Sequence, residues 1–570
     1  WDVWNEPELC FPQRTPDLRT LACYCPHCLD GFRDWLRRKY GSLERLNTVW
    51  GRCYEEWRQV EAPRDAGTFT DFVDWREFHL DTMTEEARWR LETVRRLDPG
   101  HGRYLHVVPN SFFGAVTCAD DFGMAEPCEV FAATMTGGPT ACMHVLSAAR
   151  GKVCYNVESH INHGSTDLHQ PIIDLTALKR DLLPQFGMGI KGVLFWQYRS
   201  ETLGCEAPAW GLVRTDGSPR PVTAAVRAFW AALAPHAPAL RHAFPASPQV
   251  GLWRSRKNEI FSFCTHGRVT AHNAAIDAWI QALYWDNLPF TLINDGMLAR
   301  GELSGLKLLI LPSPYYLTQA EADALDAWVR AGGVLLSEAH LAGYNATTGR
   351  HSRVLPGGGL AEKWGLRESE STAPRHLRFS AAEGLATGAL SDDQRKALQA
   401  YGAAGGDTFP IRLADGALIM GAHRYAELAG EGLQALGSAD GLHPCIARLA
   451  VDAGTVLYCG TNLGEAAERD ASGLQALLSL ATSEARLQPT GGLAADLPGS
   501  VHLDLLYEAG IARFAVLVSR AERPQQVTIS GEGRWTSLFS GTSFELHGDT
   551  ALTVETNSAE IYAIESRQDE

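Results

Sequence analysis

The sequence predicts an α/β fold that starts with part of a (β/α)8 TIM barrel and continues into a flavodoxin-like domain and a small β-sandwich. Three observations support this order. Buried strands alternate with amphipathic helices up to about residue 240, a second α/β pattern follows, and short alternating strands fill the end of the chain. Such alternation of strands and helices indicates parallel strands joined by crossover helices.

Five apolar runs in the first region are predicted strands, and they cover residues 1–5, 104–108, 129–133, 153–157 and 193–196. The segments between them have helical periodicity over residues 30–40, 72–97, 139–150 and 171–186. The longest of these helices is followed by Asp98-Pro99-Gly100, a sequence that stops helices.

A closed barrel of this type needs eight strands, and only five are found. If the first strand is barrel strand four, the others are strands five to eight. The chain also begins with Trp1 rather than Met, so we expect a fragment that lacks about three N-terminal strands and any targeting segment. We assign residues 1–242 to this partial barrel.

Two further domains are predicted. Several prolines before residue 249 mark the boundary, and residues 249–485 then combine a buried strand at 306–311, an amphipathic helix at 320–331 and a strand after Gly332-Gly333. This pattern is typical of a flavodoxin-like layer, but the glycines lack the spacing of a nucleotide-binding loop. Residues 486–570 carry short strands at 501–506, 512–517 and 526–530, which predict the β-sandwich.

Composition restricts the partners. The formal net charge of −16 argues against a nucleic-acid or anionic-membrane partner, and no apolar run is long enough to span a membrane. Thirteen cysteines, an odd and scattered set, favour reduced thiols and a cytoplasmic location. Sixteen Trp and fifteen Tyr suit a neutral sugar ligand, although core packing explains most of them.

Two glutamates end predicted barrel strands. Glu6 follows Trp4-Asn5, and Glu158 ends the strand that starts at Val153. A barrel places its chemistry at the carboxyl ends of its strands, and a facing pair of carboxylates is typical of glycoside hydrolysis. The alternative for each glutamate alone is a strand-end ion pair. Asn5 could donate a hydrogen bond to a substrate hydroxyl.

A second cluster, Cys23-x-Cys25-x-x-Cys28, predicts a structural zinc site beside the loop that follows Glu6. Cys10 is the candidate fourth ligand, and His27 is less favourably placed. The alternative is a cysteine-rich loop without a metal ion. We expect such an ion to brace the loop and to take no part in the chemistry.

Other polar and aromatic residues at strand ends are candidate substrate contacts. Trp196 could stack on a sugar ring, and Glu206 could bind sugar hydroxyls. Arg199 and Asn110 complete the set. The alternatives are barrel packing for Trp196, a structural ion pair for Arg199 and a turn cap for Asn110.

These motifs together resemble glycoside hydrolase family 42 β-galactosidases. The resemblance lies in Trp4-Asn5-Glu6, in the cysteine cluster, in the segment from Phe32 to Gly51, in Phe195–Arg199 and in Gly204-Cys205-Glu206. It implies that Glu6 is the acid/base, that Glu158 is the nucleophile and that Cys23, Cys25 and Cys28 bind zinc. It also implies a homotrimer formed with the help of the middle domain.

The chain departs from the family pattern at three places near the site. His160 follows the nucleophile where the family commonly has a Trp, Glu206-Ala207-Pro208-Ala209 replaces Glu-x-x-His, and the Asp-x-Tyr-Pro end of strand six is missing. Both acids are kept despite these departures. We expect a retaining exo-β-galactosidase acting on terminal β-D-galactosides. Another β-glycosidase of the same clan, an α-L-arabinopyranosidase, or a carbohydrate-binding protein without catalysis are the alternatives.

Overall fold

The computed structural model describes residues 1–10, 21–109, 114–135, 138–161, 172–204, 206–266, 271–369, 408–439 and 441–565. Asn110 lies outside these residues. Across the described ranges, no helix has both the length and the apolar character required to cross a membrane.

The first described sheet has five parallel strands, paired in chain order as predicted for consecutive barrel strands. Their bounds lie within two residues of the predicted ones. The strands are β1 (Asp2–Asn5), β2 (Tyr104–Val107), β3 (Val130–Thr134), β4 (Val153–Ser159) and β5 (Gly192–Phe195).

Helices connect these strands and cover the sheet. They are α1 (Pro26–Tyr40), α2 (Leu43–Trp50), α3 (Thr70–Leu97), α4 (Gly114–Thr117), α5 (Asp121–Ala125), α6 (Pro139–Ala149), α7 (Leu175–Met188), α8 (Pro221–Leu233) and α9 (Ala237–Leu240). Helix α1 starts four residues before the predicted start because Cys25 caps it and Pro26 fits its first turn. Helix α7 starts later than predicted because the Asp174 carboxylate accepts a hydrogen bond from the Ala177 amide at 2.8 Å.

The second sheet continues from the barrel through a shared apolar core that includes Leu105 and Leu252. The strands from residue 244 to residue 459 are β6 (Phe244–Pro245), β7 (Val250–Trp253), β8 (Phe290–Ile293), β9 (Leu308–Leu311), β10 (Tyr316–Leu317), β11 (Val334–Ser337), β12 (Tyr344–Asn345), β13 (Arg350–His351), β14 (Leu366–Glu368), β15 (Thr408–Leu413), β16 (Leu418–Ala422), β17 (Leu428–Gly430), β18 (Gln434–Ser438), β19 (Ile446–Val451) and β20 (Gly454–Cys459). The helices that follow α9 are α10 (Arg256–His266), α11 (Ala271–Trp285), α12 (Asp295–Ala299), α13 (Gln319–Arg330), α14 (Leu360–Trp364), α15 (Leu463–Ala466) and α16 (Ser472–Glu484).

The parallel part of this sheet has the order β8-β7-β9-β11-β20, which is the flavodoxin-like order 2-1-3-4-5. Antiparallel strands β19, β18, β15 and β16 extend it at the β20 edge. Ligands of such sheets bind outside the carboxyl ends of the parallel strands.

The C-terminal strands differ from the predicted β-sandwich. They are β21 (Ala494–Ala495), β22 (Val501–Glu508), β23 (Ile511–Ser519), β24 (Gln525–Ser537), β25 (Ser543–Val554) and β26 (Ser558–Glu565). Together with β6 they form one hydrogen-bonded antiparallel sheet, whereas a sandwich has two sheets. The sheet stays continuous because the long strand β24 pairs with β25 along its length and also with β26 at its end.

Arg76 joins two segments of the barrel region, the loop before the cysteine cluster and helix α4. Its side chain is fully buried in α3, and its guanidinium donates to the carbonyls of Ala22 at 2.7 Å, Ala115 at 2.7 Å and Val116 at 2.8 Å. One of these carbonyls directly precedes the cysteine cluster, and the other two belong to α4. Buried carbonyls need hydrogen-bond partners, so Arg76 holds the two segments together.

We predict that Arg76→Met lowers the free energy of unfolding by about 3 kcal/mol, because three buried carbonyls lose their donor. Thermal unfolding measures the change. Arg96→Met is the control, since Arg96 lies on the same helix with an exposed side chain. Equal effects of the two substitutions would contradict the structural role of Arg76.

Candidate active site

The structure brings the two predicted acids together. Glu6 directly follows β1, and Glu158 lies near the end of β4, three strands away in the sheet. One carboxylate oxygen of each glutamate and a ring nitrogen of His106 all lie within 4.8 Å of one another. All three residues are at the carboxyl ends of parallel strands, where barrel chemistry is found.

Glu6 is held in an uncommon backbone conformation. Its φ angle is 45°, in the left-handed region that residues other than glycine rarely adopt. The Glu6 amide donates to the carbonyl of His106 at 2.6 Å, which continues the pairing of β1 with β2 beyond the strand end. Backbone strain of this kind is concentrated at functional sites.

Glu158 is positioned by an irregularity in β4. The pairing of β4 shifts register against β3 between Ala133 and Thr134, and a second shift occurs against β5. The fully buried Asn156 stabilises this region: its Nδ2 donates to Met135 O at 3.1 Å and to Gln185 Oε1 at 2.9 Å. Its Oδ1 accepts from the Met135 and Glu158 amides, both at 3.3 Å. Register irregularities of this type re-aim side chains beside active sites.

The hydroxyl of Thr134 lies between Glu6 and His106, within hydrogen-bond distance of both. Thr134 Oγ1 lies 2.6 Å from Glu6 Oε1 and 2.7 Å from Nε2 of the buried His106. The other ring nitrogen, Nδ1, faces the Asp2 carboxylate at 3.2 Å, so it carries a proton and donates to it. The Thr134 hydroxyl has one proton and can donate to only one of its two neighbours.

Glu158 receives a hydrogen bond from His160. The distance from His160 Nε2 to Glu158 Oε1 is 2.9 Å, and the His160 ring stacks on Trp210 with centroids 4.1 Å apart. His106 Nε2 lies 3.6 Å from the other carboxylate oxygen. The Glu158 side chain is 15% exposed, so a ligand can reach it.

Sequence reasoning missed Thr134 and His106 as site residues. Both are polar side chains in otherwise apolar strands, and Thr134 pairs directly with Glu158 across β3 and β4. A polar residue near the carboxyl end of a buried strand was the available signal. His160 was noticed only as a departure from the family pattern, and its contact with Glu158 was not predicted.

The remaining candidate contacts lie on the same edge of the sheet or close to it. Trp196 follows β5, is 37% exposed and donates from Nε1 to Glu206 Oε2 at 3.4 Å. Its amide donates to the carbonyl of Ser159, the residue after Glu158, at 3.1 Å. Asn5 and Arg199 have exposed side chains. Trp196 and Glu206 thus form a polar-aromatic pair beside the acids.

The cysteine cluster forms with three thiols rather than four. The Sγ atoms of Cys23, Cys25 and Cys28 lie within 4.8 Å of one another. Cys10 is not part of this group, so its place as the fourth ligand stays a prediction. Its sulfur instead accepts a hydrogen bond from the Ala22 amide at 3.1 Å. The side chain of His27 is exposed.

The donor set of these thiols fits a divalent metal ion. Two ligands at about 2.3 Å on a tetrahedral zinc ion are roughly 3.8 Å apart, which lies within the 4.8 Å limit that the three sulfurs satisfy. Burial and the two neighbouring thiols raise the pKa of Cys28 to about 12. A bound cation would therefore be needed to keep all three sulfurs as thiolates.

A parallel sheet with two facing strand-end carboxylates is the architecture of a glycoside hydrolase of the barrel type. Residues 16–234 match the family model of glycoside hydrolase family 42, which is described as beta-galactosidase. This match covers the part of the chain that carries the sequence motifs, and it supports the resemblance that those motifs predicted.

Two curated relatives share local similarity with the chain. Beta-galactosidase BglY of Alicyclobacillus acidocaldarius is 33% identical over 85 residues, which are 14% of this chain and 12% of that protein. Beta-galactosidase BgaA of Thermus sp. is 30% identical over 115 residues, which are 19% of this chain and 17% of that protein. The matched segments therefore span less than a fifth of either relative.

One solved structure shows the fold over most of the chain. The beta-galactosidase from Bacillus circulans sp. alkalophilus superposes with a TM-score of 0.76 at 16% identity, and the match covers 95% of this chain and 77% of that one. The fold is therefore of the TIM-barrel α/β type with additional domains, as predicted.

A third carboxyl group lies close to the pair. Burial and, to a smaller extent, the nearby charge of Glu6 raise the pKa of Glu8 to about 7. The folded state thus holds this proton more tightly than the unfolded chain does. The resulting stabilisation is complete below about pH 4.5 and is lost as the pH rises through about 7.

We predict that Glu8→Gln raises the melting temperature relative to the unsubstituted protein at pH 8 but much less at pH 5. At pH 8 the substitution removes a half-buried charge beside Glu6, whereas at pH 5 the native carboxyl is already neutral. Glu55→Gln, at an exposed position, is the control. The same shift at both pH values would contradict the prediction.

Proposed function

We propose that this protein is a retaining exo-β-galactosidase that hydrolyses terminal non-reducing β-D-galactosides by double displacement. The observation that carries the proposal is the approach of Glu6 and Glu158 oxygens within 4.8 Å. Retaining enzymes have carboxyl groups about 5–5.5 Å apart, whereas inverting enzymes need about 6.5–9.5 Å to admit a water molecule.

The hydrogen bonds support different roles for the two acids. Glu158 accepts from the ring N–H of His160, which favours the carboxylate anion that a nucleophile must be. Glu6 meets the hydroxyl of Thr134, which can either donate to a carboxylate or accept from a carboxylic acid. This partner suits a group that changes its protonation state during each cycle.

In the first step, Glu158 attacks the anomeric carbon while Glu6 gives its proton to the leaving oxygen. The glycosidic bond breaks, and a covalent glycosyl ester forms on Glu158. In the second step, Glu6 removes a proton from water, whose oxygen displaces Glu158. Two inversions at the same carbon give net retention.

The Thr134 hydroxyl couples this proton to His106. When Glu6 is a carboxylate, Thr134 donates to it. When Glu6 is a carboxylic acid, it donates to Thr134, which in turn donates to a neutral His106. The hydroxyl can thus turn from Glu6 to His106 when Glu6 takes up its proton, without a change in the proton count of the histidine.

We predict that Glu158→Ala in the full-length protein abolishes hydrolysis of nitrophenyl β-galactoside and that azide partly restores turnover. The product should be the glycosyl azide of inverted configuration, because azide occupies the place of the missing nucleophile. Glu129→Ala is the control, since Glu129 is exposed just before β3 at the other end of the sheet.

Retained activity of Glu158→Ala would overturn the assignment of the nucleophile. A glycosyl azide of retained configuration would instead indicate that Glu158 is the acid/base and that the two roles are exchanged.

One observation favours a second substrate. His160 contacts the nucleophile at the position where the family commonly has a Trp, and its ring stacks on Trp210. A changed wall next to the nucleophile could select a sugar other than galactose, such as α-L-arabinopyranose or another β-glycoside of the clan. Relative kcat/KM values across a panel of nitrophenyl glycosides distinguish these substrates.

We also propose that the ion held by Cys23, Cys25 and Cys28 is zinc, and that it supports the loop rather than the reaction. Closed thiolate sites are typical of structural zinc. The three sulfurs belong to the loop before α1 and to its first turn, away from the carboxylates in the chain.

We predict about one zinc ion per chain by elemental analysis and its loss in Cys25→Ser, because two thiolates hold the ion much less tightly than three. Cys53→Ser should keep the ion, since Cys53 is exposed and outside the cluster. Cys10→Ser should also keep it. Full metal content in Cys25→Ser would contradict the site.

The assembly and location stay predictions. The resemblance to the family implies a homotrimer, and the free thiols favour the cytoplasm. The mass of the protein in solution tests the first of these.

A further inference from the structure

Two neighbouring cavities lie in the flavodoxin-like region, and neither is lined by Glu6 or Glu158. The larger cavity, of about 610 Å³, is lined by His340, His351, Arg353, Arg367, Glu368 and Arg424 among others. The smaller, of about 330 Å³, shares His340, His351 and Arg424 and adds aromatic side chains. The shared residues make the two cavities neighbours.

The larger cavity is positively charged although the protein is acidic. Among the described residues that line it, three are arginines and one, Glu368, has a carboxylate, whereas the whole chain has a net charge of −16. The carboxylate of Glu368 is partly engaged, because its Oε2 accepts from the His340 amide at 2.8 Å and from the Tyr458 hydroxyl at 2.6 Å. A concave cationic surface attracts anions.

Arg424 has no carboxylate within 4.0 Å among the described residues. Its Nη1 donates to His340 Nδ1 at 3.4 Å, and its Cζ lies 5.1 Å from the ring centroid of Tyr315. The Nε–H group is buried and has no hydrogen-bond partner in the described part of the chain. A half-buried guanidinium without a counter-ion is costly, so the site is poised for an anionic ligand.

The two histidines are not counter-ions for Arg424, because a histidine ring is either neutral or positively charged. His351 Nδ1 lies 2.6 Å from the carbonyl of Ser352 and must donate to it, so its Nε2 accepts from His340 Nε2 at 3.0 Å. His340 Nδ1 is then the acceptor for Arg424. Burial, and to a smaller extent Arg424, lower the pKa of His340, although Glu368 opposes this. The three arginines are the permanently charged cations among the residues that line the larger cavity.

The smaller cavity offers aromatic surfaces. Phe261 and Tyr344 lie with ring centroids 4.6 Å apart, and Phe69 packs edge-on against Phe261 at 5.7 Å. In the larger cavity, Glu368 Oε1 is a buried acceptor with no hydrogen-bond partner among the described residues. A ligand that fits both cavities therefore combines an anionic group, a hydroxyl donor and a ring face.

The position in the sheet matches that of a ligand site. Ser313 follows β9 and His340 follows β11, at the carboxyl ends of two neighbouring parallel strands. Both residues have positive φ angles, 42° and 67°. Ligands of flavodoxin-like sheets bind at this edge, and strained backbone is concentrated at such sites.

We propose that these cavities bind a ring-bearing organic anion of monosaccharide size. Its carboxylate, sulfate or phosphate group would meet Arg424 and Arg367, a hydroxyl would donate to Glu368, and its ring would lie against Tyr344. The proposal is independent of the activity assigned to Glu6 and Glu158.

The test is calorimetric titration of the full-length protein with galacturonate, galactose 6-sulfate and galactose 6-phosphate, which distinguish the three anionic groups. Galactose is the neutral control and inorganic sulfate the control without a ring. We expect at least one anionic sugar to bind, with its Kd raised about tenfold or more in Arg424→Gln, because a charge-assisted hydrogen bond is lost. Inorganic sulfate should bind more weakly than that sugar.

Arg367→Gln serves as the second variant, since Arg367 is exposed and its loss should not disturb folding. Arg534→Gln, an exposed arginine on β24, should bind like the unsubstituted protein. Absence of binding by all three anionic sugars would overturn the proposal, as would cavity variants that both bind with the affinity of the unsubstituted protein. A change in the solution mass of Arg367→Gln without any anion binding would assign the surface to a second copy of the chain instead.

Discussion

The side-chain amide of Asn156 fixes the geometry on which the site depends. Its hydrogen bonds reach β3, β4 and α7, and together they stabilise the register shift next to Glu158. Parallel strands in regular register would present side chains in an even alternation along one edge. The irregularity at the end of β4 changes this alternation and places the Glu158 carboxylate opposite Glu6.

Two carboxylates this close must differ in protonation if they are to act as acid and nucleophile. In this protein the two acids have different hydrogen-bond partners. One acid faces an imidazole N–H and the other faces a hydroxyl. The half-buried Glu8 adds a third carboxyl group, which holds its proton up to about pH 7 and thereby limits repulsion within the cluster.

Much of the barrel could be predicted from the sequence because its elements have strong patterns. Apolar strands bounded by polar residues and a long amphipathic helix such as 72–97 gave bounds close to those observed. That Glu6 and Glu158 lie close together was predicted from a general rule, because the carboxyl ends of parallel barrel strands meet at one face. No local sequence pattern indicated it. The C-terminal sheet was harder, because alternation along each strand does not reveal whether β24 stays in one sheet or leaves it.

The contacts that complete the site could not be predicted in the same way. Thr134 and His106 matter because of a register between strands that lie 28 residues apart, and sequence spacing does not fix this register. The hydrogen bond from the Ala22 amide to the Cys10 sulfur could not be predicted for a similar reason. A thiol can satisfy a backbone amide as well as a metal ion, and only coordinates show which partner it meets.

The guanidinium of Arg76 connects the loop of the cysteine cluster with the segment that follows Glu6. Through the carbonyls of Ala22 and of α4 it joins the thiol loop to a helix whose Thr117 carbonyl accepts from the Leu9 amide, three residues after Glu6. Support therefore passes from the thiol loop to the segment after Glu6 through one buried guanidinium and the backbone carbonyls that it binds. A change in the conformation of the thiol loop would therefore shift the segment that follows Glu6, although neither carboxylate takes part in the contact.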